Sequence, residues 1–246
     1  MSPSAPAAPR FYVPFPLASG AEVELPERAA RHVAVLRLER GDAITLFDGS
    51  GGQFAAELTR VSRDAARARI GRREAAERES PLAVTLAQCV SSGDRMDLAL
   101  QKATELGVRR IVPLASERSI VRLSSERADR RVAHWRGIVT AACEQSGRNC
   151  VPEVEPITAF DIFLAAPAAG ELRLVPSPDA PRGLKAFEPA RAVTLLVGPE
   201  GGLSPAERAR AEAKGYAAVR FGPRVLRTET APLALIAAMQ VLWGDC

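Results

Sequence analysis

An apolar run, Val193-Thr-Leu-Leu-Val197, leads directly into Gly198-Pro-Glu-Gly-Gly202, and Ser204-Pro-Ala-Glu207 follows at once. Five apolar and β-branched residues bounded by glycine read as a buried strand. Ser204 at the N-cap, Pro205 at the first helical position and Glu207 at N3 form a capping box, so a helix starts there. Strand, glycine loop and helix start in that order restrict the chain to α/β architectures. In these, loops at the carboxyl ends of parallel strands build ligand crevices from backbone N–H groups and helix N-termini. A second such loop, Gly222-Pro-Arg-Val-Leu-Arg-Thr-Glu-Thr-Ala231, comes shortly afterwards.

The first loop is defined mainly by what it is not. No Lys-Ser/Thr follows the glycines, so it is not a P-loop. It does not match the G-x-G-x-x-G dinucleotide pattern. It also lacks the serine between glycines that a nucleophile elbow needs. Taken alone, it is equally a tight, well-capped connection with no ligand.

Composition narrows the class. At 246 residues, with 47% hydrophobic and 25% charged residues, the chain fits one large or two modest globular domains. No apolar run reaches the length of a membrane span, and the small, Pro/Ala-rich residues Met1 to Pro9 read as an unstructured lead-in, not a signal peptide. Cys89, Cys143, Cys150 and Cys246 form no C-x-x-C pair, and only His32 and His134 accompany them. A metal site and a disulfide framework are therefore not expected, and a reducing cytoplasmic setting is.

The net charge is only +4, but the basic residues are three lysines against thirty arginines. Six arginines and one acid lie between Arg60 and Arg73, and eight arginines lie between Leu106 and Arg136. Guanidinium forks suit phosphate oxygens, so these clusters point to nucleic acid. A solvated, salt-bridged surface is the plainer alternative.

Two halves follow from the patterning. In the first, strands are expected at Phe11–Val13, Ala43–Phe47, Gln53–Val61 and Ala65–Ile70, with a helix at Glu27–Leu38 and hairpin chemistry at Asp48–Gly52. Ala66, Ala68 and Ile70 alternate with Arg67 and Arg69, so one face packs and the other presents guanidiniums. The expected organisation is a lead-in over 1–9, a small β domain over 10–73, a polar linker over 74–81 and a second domain over 82–246. There, strands at Ala83–Cys89, Arg109–Leu114, Leu172–Val175, Val193–Val197 and Ala217–Phe221 alternate with helices at Arg95–Leu106, Arg127–Glu144, Phe160–Ala165, Pro205–Lys214 and Thr230–Trp243. That alternation implies α/β with a parallel sheet covered on both faces. Its strand-end loops are Pro176–Pro178, Gly198–Gly202 and Gly222–Leu226. They offer backbone and apolar side chains, which suits an adenine-bearing ligand better than hydrolysis by a nucleophile.

Leu196-Val-Gly-Pro-Glu-Gly-Gly-Leu-Ser-Pro-Ala-Glu207 and Gly222–Ala231 together closely resemble the SPOUT-class enzymes that methylate uridine N3 in 16S ribosomal RNA. Asp94-Arg-Met-Asp97, Gln101–Val108, Glu117-Arg-Ser119 and Glu144-Gln-Ser-Gly-Arg148 share the resemblance, as do His32-x-x-x-Leu36-Arg37 and Leu46-Phe-Asp-Gly49. The resemblance implies a PUA-like N-terminal β-barrel domain and a trefoil-knotted methyltransferase domain, an exception to the rule that chains do not thread loops. It also implies S-adenosylmethionine as methyl donor, a homodimer and the small ribosomal subunit's 16S rRNA as substrate.

Carried over, the donor contacts are Leu196, Val197, Gly198, Pro199, Gly201 and Gly202 on the first loop. Phe221, Gly222, Val225 and Leu226 serve on the second, and Val175 and Pro176 close the pocket. Arg227 would stabilise the uridine anion or grip the phosphate, with Glu229 or Glu200 as proton acceptor. Arg10, Arg37, Arg67, Arg69, Arg118, Arg148 and Arg224 are the arginines expected on RNA. A SPOUT enzyme with another RNA target and a noncatalytic ribosome-assembly factor remain as alternatives. A Rossmann-type oxidoreductase is disfavoured by the missing fingerprint.

Overall fold

The computed structural model describes residues 8–119, 125–166 and 170–246. Most of the lead-in expected over 1–9, and Arg122 of the second arginine cluster, lie outside these residues. The chain divides into two compact units: Met1–Glu79 with Cys143–Val151, and Ser80–Ala142 with Pro152–Cys246.

The first unit contains β1 (Arg10–Tyr12), β2 (Glu22–Glu24), α1 (Glu27–Val35), β3 (Ala43–Phe47), β4 (Gln53–Val61) and β5 (Ala66–Glu74). They form a five-stranded sheet in the order β1-β3-β4-β5-β2. Phe11, Val33, Ile44, Leu46, Phe54, Leu58 and Ile70 are among the side chains of its core. The β3–β4 hairpin is turned by Gly49, Gly51 and Gly52, all at positive φ, while Asp48 accepts from the Ser50 N–H at 3.0 Å. Strand β5 runs to Glu74, four residues past the expected Ile70 and into the expected linker.

The return of Cys143–Val151 to this unit is a second departure from the expected single cut. Its reasons are polar. Buried Arg148 pairs with Glu79, and Asn149 donates to the Ala76 carbonyl while accepting from Arg10. The Tyr12 N–H donates to Glu144 at 3.1 Å. None of these pairings spans fewer than sixty residues of sequence, so no local pattern announces them.

The second unit contains β6 (Ala83–Cys89), α2 (Gly93–Glu105), β7 (Val108–Ala115), most of α3 (Ser125–Ser146), β8 (Glu153–Val154), β9 (Thr158–Ala159) and α4 (Phe160–Ala165). Then come β10 (Leu172–Pro176), a 3-10 turn (Leu184–Ala186), β11 (Ala192–Val197), α5 (Pro205–Ala213), β12 (Ala217–Val219) and α6 (Thr230–Trp243). Every strand pairing in this seven-stranded sheet is parallel, in the order β12-β10-β11-β6-β7-β8, with β9 also on β7. Strand β11 is central and buried along nearly its whole length, as its unbroken apolar run requires. Strands β2, β8 and β9, of two or three residues, are too short to show a period.

This order puts the carboxyl ends of β10, β11 and β12 side by side, so the loops after them converge. No helix among the described residues is long and apolar enough to cross a membrane.

Candidate donor and nucleic-acid site

The loop after β11 is shaped by steric necessity. A Cβ on Gly198 would stand 2.9 Å from the Leu203 nitrogen and 3.1 Å from the Gly202 carbonyl carbon. Backbone lies where a side chain would go, so only glycine fits. Gly202 has φ +66°, and its N–H closes the turn on the Pro199 carbonyl at 2.8 Å.

The helix that follows is capped as expected. The Ser204 hydroxyl accepts from the Glu207 N–H at 3.1 Å, and Glu207 accepts from the Ser204 N–H at 2.8 Å. Glu207 is fully buried, and its other oxygen accepts from the Glu117 N–H at 2.8 Å. One carboxylate thus caps α5 and fastens the loop after β7. From that second loop, Arg118 donates to the Gly201 carbonyl at 2.8 Å. Arg118 therefore braces the glycine loop.

Glu200 reaches to the start of α2. Its Oε1 accepts from the Ser92 N–H at 2.9 Å, the Ser92 hydroxyl at 2.7 Å and Arg95 at 3.1 Å. Burial alone would raise its pKa, but the hydrogen bonds from Ser92 and Arg95 and its own backbone N–H outweigh burial and hold the carboxyl below its ordinary value. A carboxylate with three donors on one oxygen and a lowered pKa is a poor proton acceptor and a good tether.

The second loop is fixed to the first by Thr228, whose hydroxyl donates to the Gly198 carbonyl at 2.7 Å. Gln88, at the end of β6, donates to the Thr228 oxygen at 3.1 Å. Between the loops lies a cavity of about 560 Å³. Val175, Pro176, Val197, Gly198, Pro199, Gly201 and Gly202 line it, as do Phe221, Val225 and Leu226. Two expected contacts, Leu196 and Gly222, are not among its lining residues. The Leu196 side chain is fully buried in the core, because alternation turns it away from the strand end, and Gly222 serves as an exposed turn at φ +71°.

Arg227, Glu200, Glu229 and Arg224 also line the cavity. Glu229 is nearly buried, and its Oε2 has no hydrogen-bond partner. Arg95 and Arg208 join the wall, and sequence reading missed both as site residues. Their signal was faint: each is a helix arginine whose direction depends on how its helix packs. Thr228 was missed for a similar reason, since a threonine in a turn carries no chemistry until its partners are known.

The remaining arginines divide. Arg67 and Arg69 are exposed on β5 opposite buried Ala66, Ala68 and Ile70, as the alternation implied. Their neighbours in register include Glu24 and Glu22 on β2, and Arg67 pairs with Glu24 at 3.3 Å, so the basic face is interleaved with acids. Arg37 is exposed and ends α1 at φ +55°, a conformation unusual for a non-glycine residue. Arg148 corrects the expectation of an RNA contact. It is only 4% exposed and paired with Glu79, so it is a structural cation. Arg10 is likewise occupied, stacked over Phe47 and donating to Asn149.

With the geometry in place, likeness to known proteins decides the family. An RNA methyltransferase domain family matches residues 78–240, and an RNA methyltransferase PUA domain family matches residues 25–71. The ribosomal RNA small subunit methyltransferase E of Bacillus subtilis is 33% identical over 226 residues, which cover 87% of this chain and 88% of that protein. The chain belongs to the ribosomal RNA small subunit methyltransferase E family. The Buchnera aphidicola (Schizaphis graminum) member is 31% identical over 96% of this chain and 97% of its own. The crystal structure of the Neisseria gonorrhoeae member bound to S-adenosylmethionine is 47% identical. It superposes with a TM-score of 0.91 over 97% of this chain and 99% of that one. A putative methyltransferase from Legionella pneumophila in complex with the same cofactor is 37% identical, with a TM-score of 0.93 and the same two coverages. Membership gives the SPOUT-type α/β domain and the N-terminal PUA domain together.

Proposed function

We propose that this chain transfers a methyl group from S-adenosylmethionine to N3 of a uridine in 16S ribosomal RNA, as part of small-subunit maturation in the cytoplasm. The observation that carries this reading is the cavity walled by the Gly198–Gly202 and Phe221–Leu226 loops, in a chain 47% identical to a family member bound to that donor. The residues present fit the donor. A turn with no space for side chains brings backbone against the cavity at Gly198, and Val197, Leu203, Val225 and Leu226 supply apolar wall for an adenosyl group. When bound, the donor supplies an electrophilic methyl on a sulfonium.

The protein's residues would handle the acceptor. Uracil N3 is a weak nucleophile until its proton leaves. Each of the two expected proton acceptors has one buried oxygen without a donor among the described residues, but the other oxygen of Glu200 takes three donors and its pKa is held down, so Glu229 is the better candidate. Arg227 stands two residues away on the same cavity wall and would stabilise the uridine anion. The N3 lone pair then forms the bond to the methyl carbon as the carbon–sulfur bond breaks, leaving a neutral thioether. Positioning of the two reactants supplies much of the acceleration.

Arg95, Arg208, Arg224 and Arg227 around the cavity, and Arg37, Arg67 and Arg69 in the first unit, provide the phosphate-attracting charge for RNA. Exposed Leu98 on α2 and Val241 and Leu242 on α6 support a homodimer formed through these helices. The passage of the chain from β12, at the sheet edge, back over β11 and β6 through Thr228 supports the trefoil knot.

The test is transfer of label from S-adenosylmethionine to small-subunit RNA prepared from a strain lacking the modification. Methylation at a single uridine N3, located by mass spectrometry, is the expected result. Label on another position would replace the substrate assignment, and donor binding with no transfer to any RNA would favour an assembly factor.

A further inference from the structure

We propose that Gln88 and Thr228 form a latch that positions the two cavity loops for the reaction, with Gln88 acting entirely through Thr228. The inference deepens the methyl-donor reading of the cavity and rests on it.

The direction of each hydrogen bond follows from chemistry. Thr228 Oγ1 lies 2.7 Å from the Gly198 carbonyl oxygen. A carbonyl only accepts, so the hydroxyl proton points to Gly198. The lone pairs of Oγ1 remain to accept from Gln88 Nε2 at 3.1 Å. The same nitrogen donates to the Cys89 carbonyl at 3.2 Å. Both neighbours demand an N–H, so the amide has one orientation. Its Oε1 is then left buried with no partner among the described residues.

A buried acceptor without a donor costs stability. Methionine at this position would fill similar space and remove that orphan acceptor, while also removing the N–H donors to Thr228 and the Cys89 carbonyl. What the glutamine holds identifies its role. Gln88 is fully buried and does not line the cavity, whereas Thr228 does. Thr228 is flanked by Arg227 and Glu229, the groups proposed to handle the base. It grips the carbonyl of Gly198, where the donor loop has no steric slack. The latch thus fixes the acceptor-handling loop relative to the donor loop.

The experiment compares full-length wild type, Gln88→Met, Thr228→Val, Thr228→Ser and the Gln88→Met/Thr228→Val double variant. Stability comes from urea denaturation, donor affinity from calorimetry with S-adenosylmethionine, and turnover from single-turnover methyl transfer to unmodified small-subunit RNA. Gln88→Met is expected to be as stable as wild type or more so, yet ~5–20-fold weaker in the product of donor affinity and transfer rate, the size of one oriented hydrogen bond. Thr228→Val is expected to lose at least as much, while Thr228→Ser, which keeps the hydroxyl, stays within ~3-fold. The double variant is expected to be no worse than Thr228→Val, because the two residues act as one unit. Wild-type binding and transfer in Gln88→Met would overturn the latch. So would a loss that tracks lost stability, or additive losses in the double variant. Failure of the wild type itself to bind S-adenosylmethionine would instead overturn the reading of the cavity.

Discussion

Glu200 and Ser92 are 108 positions apart, yet the Glu200 carboxylate accepts both the backbone N–H and the hydroxyl of Ser92, at 2.9 and 2.7 Å. The pair joins the glycine loop after β11 to the N-cap of α2. The acidic residue of the glycine loop is therefore held as a tether between two elements of the site.

That tether predicts a pH signature. A carboxyl whose folded pKa is lowered contributes stability that is complete above its unfolded pKa and lost as pH falls through the folded value. The stability gap between wild type and Glu200→Gln should be constant from neutral pH down to the ordinary carboxylate range and close below it. Thermal melts of both proteins across that range check this. Donor affinity of Glu200→Gln at neutral pH should fall ~5–20-fold.

Gly198→Ala tests the crowded turn. Its Cβ would meet the Leu203 nitrogen at 2.9 Å, and backbone cannot step aside as a flexible side chain can. The variant should lose roughly 1–3 kcal/mol of stability and bind S-adenosylmethionine at least ~10-fold more weakly. Calorimetry and chemical denaturation report the two effects separately.

Glu207→Gln tests the buried cap. The carboxylate accepts from the Ser204 and Glu117 N–H groups, and an amide can accept at only one of its two positions. The loss should be about 2–4 kcal/mol, a capping contribution together with an unsatisfied buried donor. Urea denaturation measures it.

Arg227 and Glu229 should affect rate more than donor binding. Arg227→Ala and Glu229→Gln are each expected to lower the single-turnover methyl-transfer rate by ~10²–10³-fold, the range for removing an anion stabiliser or a proton acceptor. Calorimetric affinity for S-adenosylmethionine should change far less. A raised pH should partly rescue Glu229→Gln, because solvent then takes the N3 proton.

The cysteines give a chemical readout of burial. Burial pushes the thiols of Cys89 and Cys143 up to about 12, so neither forms thiolate near neutral pH. A maleimide should label exposed Cys246 in the folded protein and reach Cys89 and Cys143 only after unfolding. Peptide mass spectrometry locates the label.

Much of the fold is legible in local pattern. The unbroken apolar run of β11 marks a strand buried on both faces, Ser204-Pro-Ala-Glu207 marks the start of α5, and the alternation from Ala66 to Ile70 marks which face of β5 packs. Each signal rests on residues within a turn or two of one another. The return of residues 143–151 to the first unit is not legible, because Arg148–Glu79 and Asn149–Arg10 are long-range pairs.

The site divides in the same way. The chain's own order of residues determined that Gly198–Gly202 would be a strand-to-helix loop with glycine where no side chain fits, and that arginine would dominate its charge. Only the tertiary structure decided which groups are spent in holding the fold and which remain for chemistry. Glu200 and Glu229 are both carboxylates on cavity loops, and nothing in their immediate sequence separates tether from candidate base. Both keep one buried oxygen without a donor among the described residues, but Ser92 and Arg95 converge on the other oxygen of Glu200 and lower its pKa. Arg148 and Arg227 divide likewise, one buried against Glu79 and the other on the cavity wall. A hydrogen bond is decided by which donors fold within about 3 Å of an acceptor, and that proximity arises from the packing of distant strands.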